Sequence, residues 1–113
     1  LIKADFTDLP HEEFWIMLLN RANAFMSKHF LSKGGQSGTV IDPKIVFKVA
    51  IEQQAAYIIL VHNHPSGNLK PSEADKDITR KIKDAGNKLD VKVLDHLIIT
   101  ESKYYSFVDE GIF

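Results

Sequence analysis

Cysteine is absent from this sequence of 113 residues, so it offers no disulfide framework and no thiol that could act as a nucleophile or a metal ligand. Long apolar runs are absent as well. The longest covers the seven residues 55–61, far below the ~20 that a membrane-spanning helix needs, and no signal-peptide pattern opens the chain. We therefore expect a soluble protein with no membrane partner, and the composition is consistent with the cytoplasm.

An excess of charge of either sign is also missing. The chain has 14 basic and 15 acidic residues, a formal net charge of -1 and a pI near 6.6. A nucleic-acid-binding domain normally shows a basic face or stripe. Basic residues do concentrate between positions 76 and 88, but acidic residues are interleaved with them. This pattern favours a solvated helix face, and direct DNA binding by this domain is not expected.

The order of predicted elements indicates an α/β fold with a mixed β-sheet flanked by helices. Apolar runs predict strands over 14–19, 24–32, 55–61, 91–100 and 104–108, and 34–38 is predicted to be a flexible loop. Strand pairs near both ends suggest hairpins, which favours mixed over purely parallel pairing. The length and the 44% hydrophobic content suit one domain with one core over residues 1–113.

Two helices complete this predicted fold. Asp42 followed by Pro43 is a strong helix start, and the second helix begins near Ser72. Gly86 and Asn87 are predicted to weaken or end the second helix. The predicted buried positions are, in the first helix, Ile45, Val46, Val49 and Ala50, and in the second, Ala74, Ile78, Ile82 and Ala85.

The most informative segment is His62-Asn63-His64-Pro65-Ser66-Gly67, which follows the buried strand directly. Side chains two apart in a strand point the same way, so His62 and His64 can face one pocket while Asn63 points elsewhere. Asp75 falls in the first turn of the next helix. A strand end and a helix start joined by one loop can bring three ligands together and leave a fourth position open, as in a catalytic zinc site.

A simpler explanation covers part of this pattern. Ser72 and Asp75 have the spacing of a capping box, in which the serine bonds a backbone N–H and the carboxylate favours the helix N-terminus. A lone strand histidine is more often structural than a ligand. Capping does not require two same-face histidines upstream, however, so their co-occurrence with Ser72 and Asp75 favours the metal interpretation.

The spacing His-x-His, seven residues, Ser, two residues, Asp resembles the JAMM (JAB/MPN) metalloprotease motif. The wider context resembles the RadC-like branch of that family, which is associated with DNA repair. The resemblance extends over nearly the whole chain. It is carried by Glu12-Glu13-Phe14-Trp15, Asp42-Pro43-Lys44, the histidine segment, Pro71-Ser72, Val93-Leu94-Asp95-His96-Leu97-Ile98-Ile99 and Tyr104-Tyr105-Ser106. It implies a JAB/MPN (cytidine-deaminase-like) architecture. The helical N-terminal segment that members often carry is not found here, and we expect an excised domain.

The resemblance also implies roles for individual residues. His62, His64 and Asp75 would bind Zn²⁺, and a glutamate just before the first core strand would act as the general base. Glu12 is the candidate, with Glu13 as the adjacent alternative. Ser72 would donate a hydrogen bond to the developing oxyanion. The implied activity is hydrolysis of a peptide or isopeptide bond by a metal-activated water, in a protein or peptide substrate that the sequence does not identify.

Other hypotheses fit some of the same residues. Two histidines and a carboxylate can also hold Fe(II) in an oxygenase, and a degenerate or structural metal site would make the domain an interaction module associated with DNA repair. The HNH nuclease pattern disperses its named residues over a hairpin and a helix, so adjacent letters do not match it. Asp95 and His96 face opposite sides of a strand, which favours a structural or supporting role. His11 and His29 are predicted to be surface residues.

Overall fold

A computed structural model describes residues 11–33, 41–64 and 67–113 and contains five strands and two helices. The strands are β1 (Glu13–Leu19), β2 (Phe25–Lys33), β3 (Tyr57–Asn63), β4 (Lys92–Ile99) and β5 (Tyr104–Ser106); the helices are α1 (Pro43–Glu52) and α2 (Glu73–Leu89). The strands form one sheet in the order β2-β1-β3-β4-β5. The predicted α/β class with a mixed sheet is confirmed. The predicted loop at 34–38 lies outside the described residues.

Strand pairing places the carboxyl end of β3 beside that of β4. β1 is antiparallel to both β2 and β3, β3 is parallel to β4, and β4 is antiparallel to β5. A parallel pair needs a long crossover connection, and α2 supplies it between β3 and β4. β3 ends at Asn63 and α2 begins at Glu73. His62 and His64 lie at this carboxyl end of β3.

One face of the sheet carries the main core, and both described helices contribute to it. Its buried residues are Phe14, Ile16, Leu18, Ile41, Val46, Phe47, Ala50, Ala55, Ile58, Leu60, Ile82, Val91 and Val93. Each fully buried large side chain of this kind stabilises the fold by roughly 1.5–3 kcal/mol. A smaller cluster on the opposite face is built around Met17, Val61 and Ile99. None of the helices in the described part of the chain is long and apolar enough to cross a membrane.

Helix α1 begins as predicted but presents a slightly different face to the core. The Asp42 side chain caps it by accepting a hydrogen bond from the Lys44 N–H at 2.9 Å. Val46 and Ala50 are buried as predicted, and Val49 packs against the core. The prediction for Ile45 was wrong, because its side chain is 52% exposed and Phe47 takes an inward position instead. The helix is therefore rotated toward Phe47, whose ring fills the core.

Helix α2 has a buried stripe at helical spacing, made by Asp75, Thr79, Ile82 and Gly86. Ile78 and Ala85 pack against the core beside this stripe, as predicted. The prediction that Ala74 is buried was wrong, since it is exposed. Successive residues are about 100° apart around a helix, and the inward position of the first turn is occupied by the carboxylate of Asp75.

Gly86 does not end α2, which continues to Leu89 before Asp90 closes it in the left-handed conformation at φ 59°. A Cβ at Gly86 would lie 2.5 Å from the Val91 carbonyl oxygen. The chain therefore folds back over the helix at this point, and the Val91 N–H donates to the Gly86 carbonyl at 3.0 Å. The glycine is required by this close approach to the strand that follows, so the prediction of a helix end here was wrong.

Candidate metal centre

The last residues of β3 place the two histidines of the motif together. The rings of His62 and His64 have centroids 4.7 Å apart and meet edge to face. The Asn63 side chain is directed elsewhere, to the backbone of His11 and Glu13. The prediction from strand alternation is therefore confirmed. His62 is 1% exposed.

The start of α2 brings a carboxylate to the same place. Ser72 is the N-cap: its Oγ accepts a hydrogen bond from the Asp75 N–H at 3.0 Å, and its own N–H donates to Asp75 Oδ2 at 2.9 Å. This reciprocal pair is a capping box. Asp75 Oδ1 lies 3.4 Å from His62 Nδ1, and Asp75 Oδ2 lies 3.7 Å from His64 Nε2. The cap thus orients a carboxylate that also faces both imidazoles.

Glu12 reaches the site from the start of β1. Its Oε1 is in hydrogen-bond contact with His62 Nε2 and lies 3.7 Å from His64 Nε2. β1 and β3 are adjacent, and Phe14 is paired with His62 in their ladder. This register carries the residue two positions before Phe14 to the histidine end of β3. The Glu12 side chain is 26% exposed, so the site opens to solvent on this side.

Glu13 has a different environment. Its carboxylate accepts a hydrogen bond from Trp15 Nε1 at 2.9 Å and contacts His11 Nε2 at 2.5 Å. The carboxylates of Glu12 and Glu13 therefore serve different neighbours, as expected for consecutive residues where a strand begins. The structure places Glu12 beside the histidines, and its role as a base stays a prediction.

The side chains available here suit a metal ion. Among the described residues, the group whose ligand atoms all lie within 4.8 Å of one another consists of Glu12, His62 and His64. Asp75 contacts both histidines from the other side. Two ligands of one tetrahedral zinc are about 3.3 Å apart, and the 3.4 Å between His62 Nδ1 and Asp75 Oδ1 is close to this value. The contact between Glu12 and His62 is that of a hydrogen bond, not of two ligands on one ion.

An unsatisfied buried atom supports the same conclusion. His62 Nδ1 is buried and has no hydrogen-bond partner within the described part of the chain. Nε2 faces the Glu12 carboxylate, which can only accept, so the ring proton lies on Nε2 and Nδ1 carries a lone pair. Lone pairs on His62 Nδ1 and Asp75 Oδ1 therefore face each other without a proton between them. A cation would relieve this arrangement, so the donor set fits a metal.

The second histidine is oriented by a hydrogen bond to the backbone of Asn68. His64 Nδ1 donates to the Asn68 carbonyl at 2.6 Å, which leaves the Nε2 lone pair directed toward the carboxylates. Metal-binding histidines generally have this kind of partner on the second ring nitrogen. Gly67, beside Asn68, has a φ of 84°, in the left-handed region that favours glycine. Its N–H also donates to the His64 carbonyl at 3.0 Å.

Burial favours the neutral form of the His62 imidazole. Burial lowers the pKa of His62 below its ordinary 6.5, and His64 acts in the same direction, while the charges of Asp75 and Glu12 oppose the shift. Because desolvation is the largest of these effects, the imidazole is neutral at physiological pH. A neutral imidazole is the form that binds a metal.

Asp95 and His96 lie on opposite faces of β4, as predicted. Asp95 accepts hydrogen bonds from Ser106 Oγ at 2.5 Å and the Val108 N–H at 3.0 Å, so it fixes the last part of the chain. His96 is fully buried, and its Nδ1 lies 2.6 Å from the Thr79 hydroxyl on α2. Its ring centroid is 6.0 Å from that of His62. A register shift between β3 and β4 turns His96 to the helix-covered face.

The two remaining histidines have no place in the cluster. His11 is partly buried and pairs with Glu13, and His29 is partly buried on β2, where its Nε2 lies 2.9 Å from Ser27 Oγ. Both are less exposed than predicted for surface residues. The contacts of Thr79 and Asn63 were not predicted from the sequence, since their partners lie on elements distant along the chain.

The fold and site define an α/β domain with a candidate metal centre of two histidines and two carboxylates. A family model described as the RadC-like JAB domain matches residues 1–112, and the chain belongs to this family. It is 65% identical over 106 residues to a UPF0758 protein of Flavobacterium johnsoniae, covering 94% of this chain and 46% of that protein. A UPF0758 protein of Porphyromonas gingivalis is 44% identical over 107 residues, covering 94% and 47%.

A third relative extends this comparison. A UPF0758 protein of Geotalea uraniireducens is 43% identical over 108 residues, covering 96% of this chain and 47% of that protein. The chain thus spans about half the length of the curated relatives it matches. This is the same family that the histidine segment and the surrounding sequence resemble.

Proposed function

We propose that this domain is a zinc-dependent hydrolase of the metallopeptidase type, acting on a peptide or isopeptide bond. The observation that carries the proposal is the convergence of His62, His64 and Asp75 with a fourth side chain, Glu12, that approaches from a different strand. His62, His64 and Asp75 would hold the metal. Glu12 contacts the other ring nitrogen of His62, Nε2, and lies 3.7 Å from His64 Nε2, the nitrogen that also faces Asp75.

The residues divide into ligands and a proton carrier. When bound, a zinc ion with three protein ligands acidifies a coordinated water and polarises a carbonyl oxygen. Glu12 takes the proton of the attacking water and returns it to the leaving amine, as a general base and acid. The contact of its Oε1 with His62 Nε2 supports this role for Glu12.

The hydroxyl proton of Ser72 is not used by the helix cap. Its Oγ accepts from the Asp75 N–H, and this bond uses a lone pair, not the hydroxyl proton. The hydroxyl can therefore donate to an oxyanion while the cap remains intact. Ser72 is exposed at the mouth of the site, where a substrate carbonyl would arrive. In the proposed reaction it stabilises the tetrahedral intermediate by this bond.

The proposed partner is a protein or peptide, not DNA. On α2 two basic side chains are paired with acidic neighbours, Lys76 with Glu73 at 3.1 Å and Arg80 with Asp77. A helix with this alternation does not form a basic stripe. A role in DNA repair would then be exercised on a protein substrate, and the absence of cysteine is consistent with a cytoplasmic location.

The test combines metal analysis with an unbiased search for cleavage. Metal-free protein is loaded with zinc and incubated with a peptide library that contains both ordinary and lysine-linked isopeptide bonds, and new termini are found by mass spectrometry. We expect about one zinc per chain and cleavage that persists without oxygen, which separates hydrolysis from Fe(II) oxygenase chemistry. The variant Glu12→Gln should keep its zinc and lose cleavage by about 10²–10⁴-fold.

Glu13→Gln is the matched control, because it makes the same change at the adjacent position. A glutamine can still accept the hydrogen bond from Trp15 Nε1, so this variant should retain most of the cleavage. Full cleavage by Glu12→Gln, with loss in Glu13→Gln, would identify Glu13 as the base and contradict the role proposed for Glu12. Failure to bind zinc stoichiometrically would contradict the proposed hydrolase.

A further inference from the structure

Asn63 is the middle residue of the histidine motif, and its side chain is buried on the face of β3 opposite the imidazoles. It is 4% exposed. Its Oδ1 accepts a hydrogen bond from the Glu13 N–H at 2.5 Å, and its Nδ2 donates to the His11 carbonyl at 2.8 Å. Both ends of the amide are therefore used, each on the backbone of a segment fifty residues earlier in the chain.

These two bonds hold the peptide groups on either side of Glu12. The His11 carbonyl belongs to the peptide unit before Glu12, and the Glu13 N–H belongs to the unit after it. The ladder between β1 and β3 ends at the pair of Phe14 with His62. Glu12 therefore lies just beyond the regular pairing, and the Asn63 side chain continues the connection between the two strands past that end.

We propose that Asn63 is a positioning residue that fixes the backbone of Glu12 and thereby directs its carboxylate to His62 and His64. The inference rests on the proposed function in one respect, the role of Glu12 as the base. A side chain that takes part in the reaction must be held in its position, because a displacement of about 1 Å can lower the rate by about 10²-fold. Asn63 links this placement to the strand that carries the histidines.

The chemistry of the contact requires an amide. One partner of Asn63 is a donor, the Glu13 N–H, and the other is an acceptor, the His11 carbonyl. An aspartate carboxylate has only acceptors, so it would keep the first bond and lose the second; an alanine would lose both. The variants Asn63→Asp and Asn63→Ala therefore separate the two bonds.

A matched control exists at the other end of β1. Asn20 also makes two bonds to the backbone through its side chain, since its Oδ1 accepts from the N–H groups of Ala22 and Ala24 at 2.9 and 3.0 Å. The variant Asn20→Ala removes two side-chain to backbone bonds in a turn remote from the histidines. Any effect that it shares with Asn63→Ala comes from general loss of structure, not from the position of Glu12.

The first measurement uses metal-free protein and does not depend on catalysis. We would record amide exchange of Glu13 and the ring ¹⁵N signals of His62 by NMR, with the single tryptophan indole as a probe of folding. Asn63→Ala should speed Glu13 amide exchange by about ten-fold or more, because its hydrogen bond is lost. The His62 ring signals should move toward those of Glu12→Gln. Asn63→Asp should keep the Glu13 protection and still move the ring signals, and Asn20→Ala should change neither.

The second measurement uses the zinc-loaded protein. Both Asn63 variants should keep about one zinc per chain and lose about 10²-fold in cleavage. Added to Glu12→Gln, Asn63→Ala should cause almost no further loss, since the two changes remove the same contribution. A merely structural role would instead reduce zinc content and add to the loss.

The inference is overturned if a folded Asn63→Ala or Asn63→Asp protein shows the His62 ring signals of the unaltered protein. It is equally overturned if the loss of cleavage adds fully to that of Glu12→Gln. Failure of the proposed function gives a different result: the protein would bind no zinc or cleave nothing, while the NMR changes in the metal-free protein would still occur.

Discussion

The Thr79 hydroxyl and the His96 imidazole form a buried contact of 2.6 Å that joins α2 to β4 behind the candidate metal centre. Thr79 Oγ1 also donates to the Asp75 carbonyl at 2.6 Å. A hydroxyl has one proton, so Thr79 accepts from His96 Nδ1–H. The chain of bonds runs from the strand through Thr79 to the first turn of α2, where Asp75 faces the histidines.

Thr79→Val should destabilise the protein by about 1–3 kcal/mol. Valine has a similar shape but leaves the Nδ1–H of His96 buried without its partner, and an unsatisfied buried donor costs about that much. The free energy of unfolding in urea measures the effect. Thr79→Ser keeps the hydroxyl and should lose clearly less stability than Thr79→Val. Equal losses of stability in the two variants would show that packing of the methyl group, not the hydrogen bond, is responsible.

Stability should decrease as the pH falls below about 6.5. Burial holds the pKa of His96 well below its ordinary 6.5, with His62 and His64 acting in the same direction. The unfolded chain therefore binds a proton in a range where folded His96 does not, and one such proton changes the free energy of unfolding by about 1.4 kcal/mol per pH unit. Above pH 6.5 this contribution is fully present. Urea unfolding at a series of pH values measures the slope.

His96→Gln provides the variant for this test. It should be less stable at neutral pH and should show a smaller slope between pH 6.5 and 5 than the unaltered protein. His62 has a pKa shift of the same sign, so part of the slope should remain. His29→Gln, on β2, is the matched control for removing one histidine. An unchanged slope in His96→Gln would mean that this residue is not protonated on unfolding in the assumed range.

Ser72 combines a cap and a proposed oxyanion donor, and two substitutions separate them. Ser72→Ala removes both and should cost about 1 kcal/mol of stability. Ser72→Asp can still accept from the Asp75 N–H as a good N-cap, but its carboxylate cannot donate. The urea concentration at which it unfolds should be close to that of the unaltered protein, but its cleavage should fall by about 10²–10³-fold. Normal cleavage by Ser72→Asp would restrict the residue to the helix cap.

Gly86→Ala should destabilise the protein by about 1–3 kcal/mol, although alanine is the better helix former. The added Cβ would meet the Val91 carbonyl oxygen at 2.5 Å and the side chains of Phe47 and Val93 at 3.4 Å. Asn87→Ala, at the adjacent exposed position of α2, should instead be neutral or slightly stabilising. Thermal unfolding of both variants compares them, and a stabilised Gly86→Ala protein would contradict the close approach.

Local patterns in the sequence predicted those features that depend on neighbouring residues. Alternation along β3 placed His62 and His64 on one side, and the spacing of Ser72 and Asp75 predicted the cap that the structure contains. Asp42 before Pro43 predicted the start of α1 for the same reason. Each of these depends on backbone geometry within a few residues.

Features that depend on distant contacts were not predictable in this way. Whether Glu12 or Glu13 faces the histidines is set by the pairing of Phe14 with His62, which joins strands far apart in sequence. Gly86 has the local signature of a helix end, but the approach of Val91 explains why α2 continues. The partner of Thr79 likewise depends on a register shift in the pairing of β3 with β4.

Anomalous diffraction at the zinc edge, from crystals of the zinc-loaded protein, tests the central claim most directly. We predict a single peak at the carboxyl end of β3, about 2.0–2.2 Å from ligand atoms of His62, His64 and Asp75, with Glu12 directed at a position not filled by protein. No peak at this place, or a zinc bound by other residues while these three side chains point apart, would contradict the account.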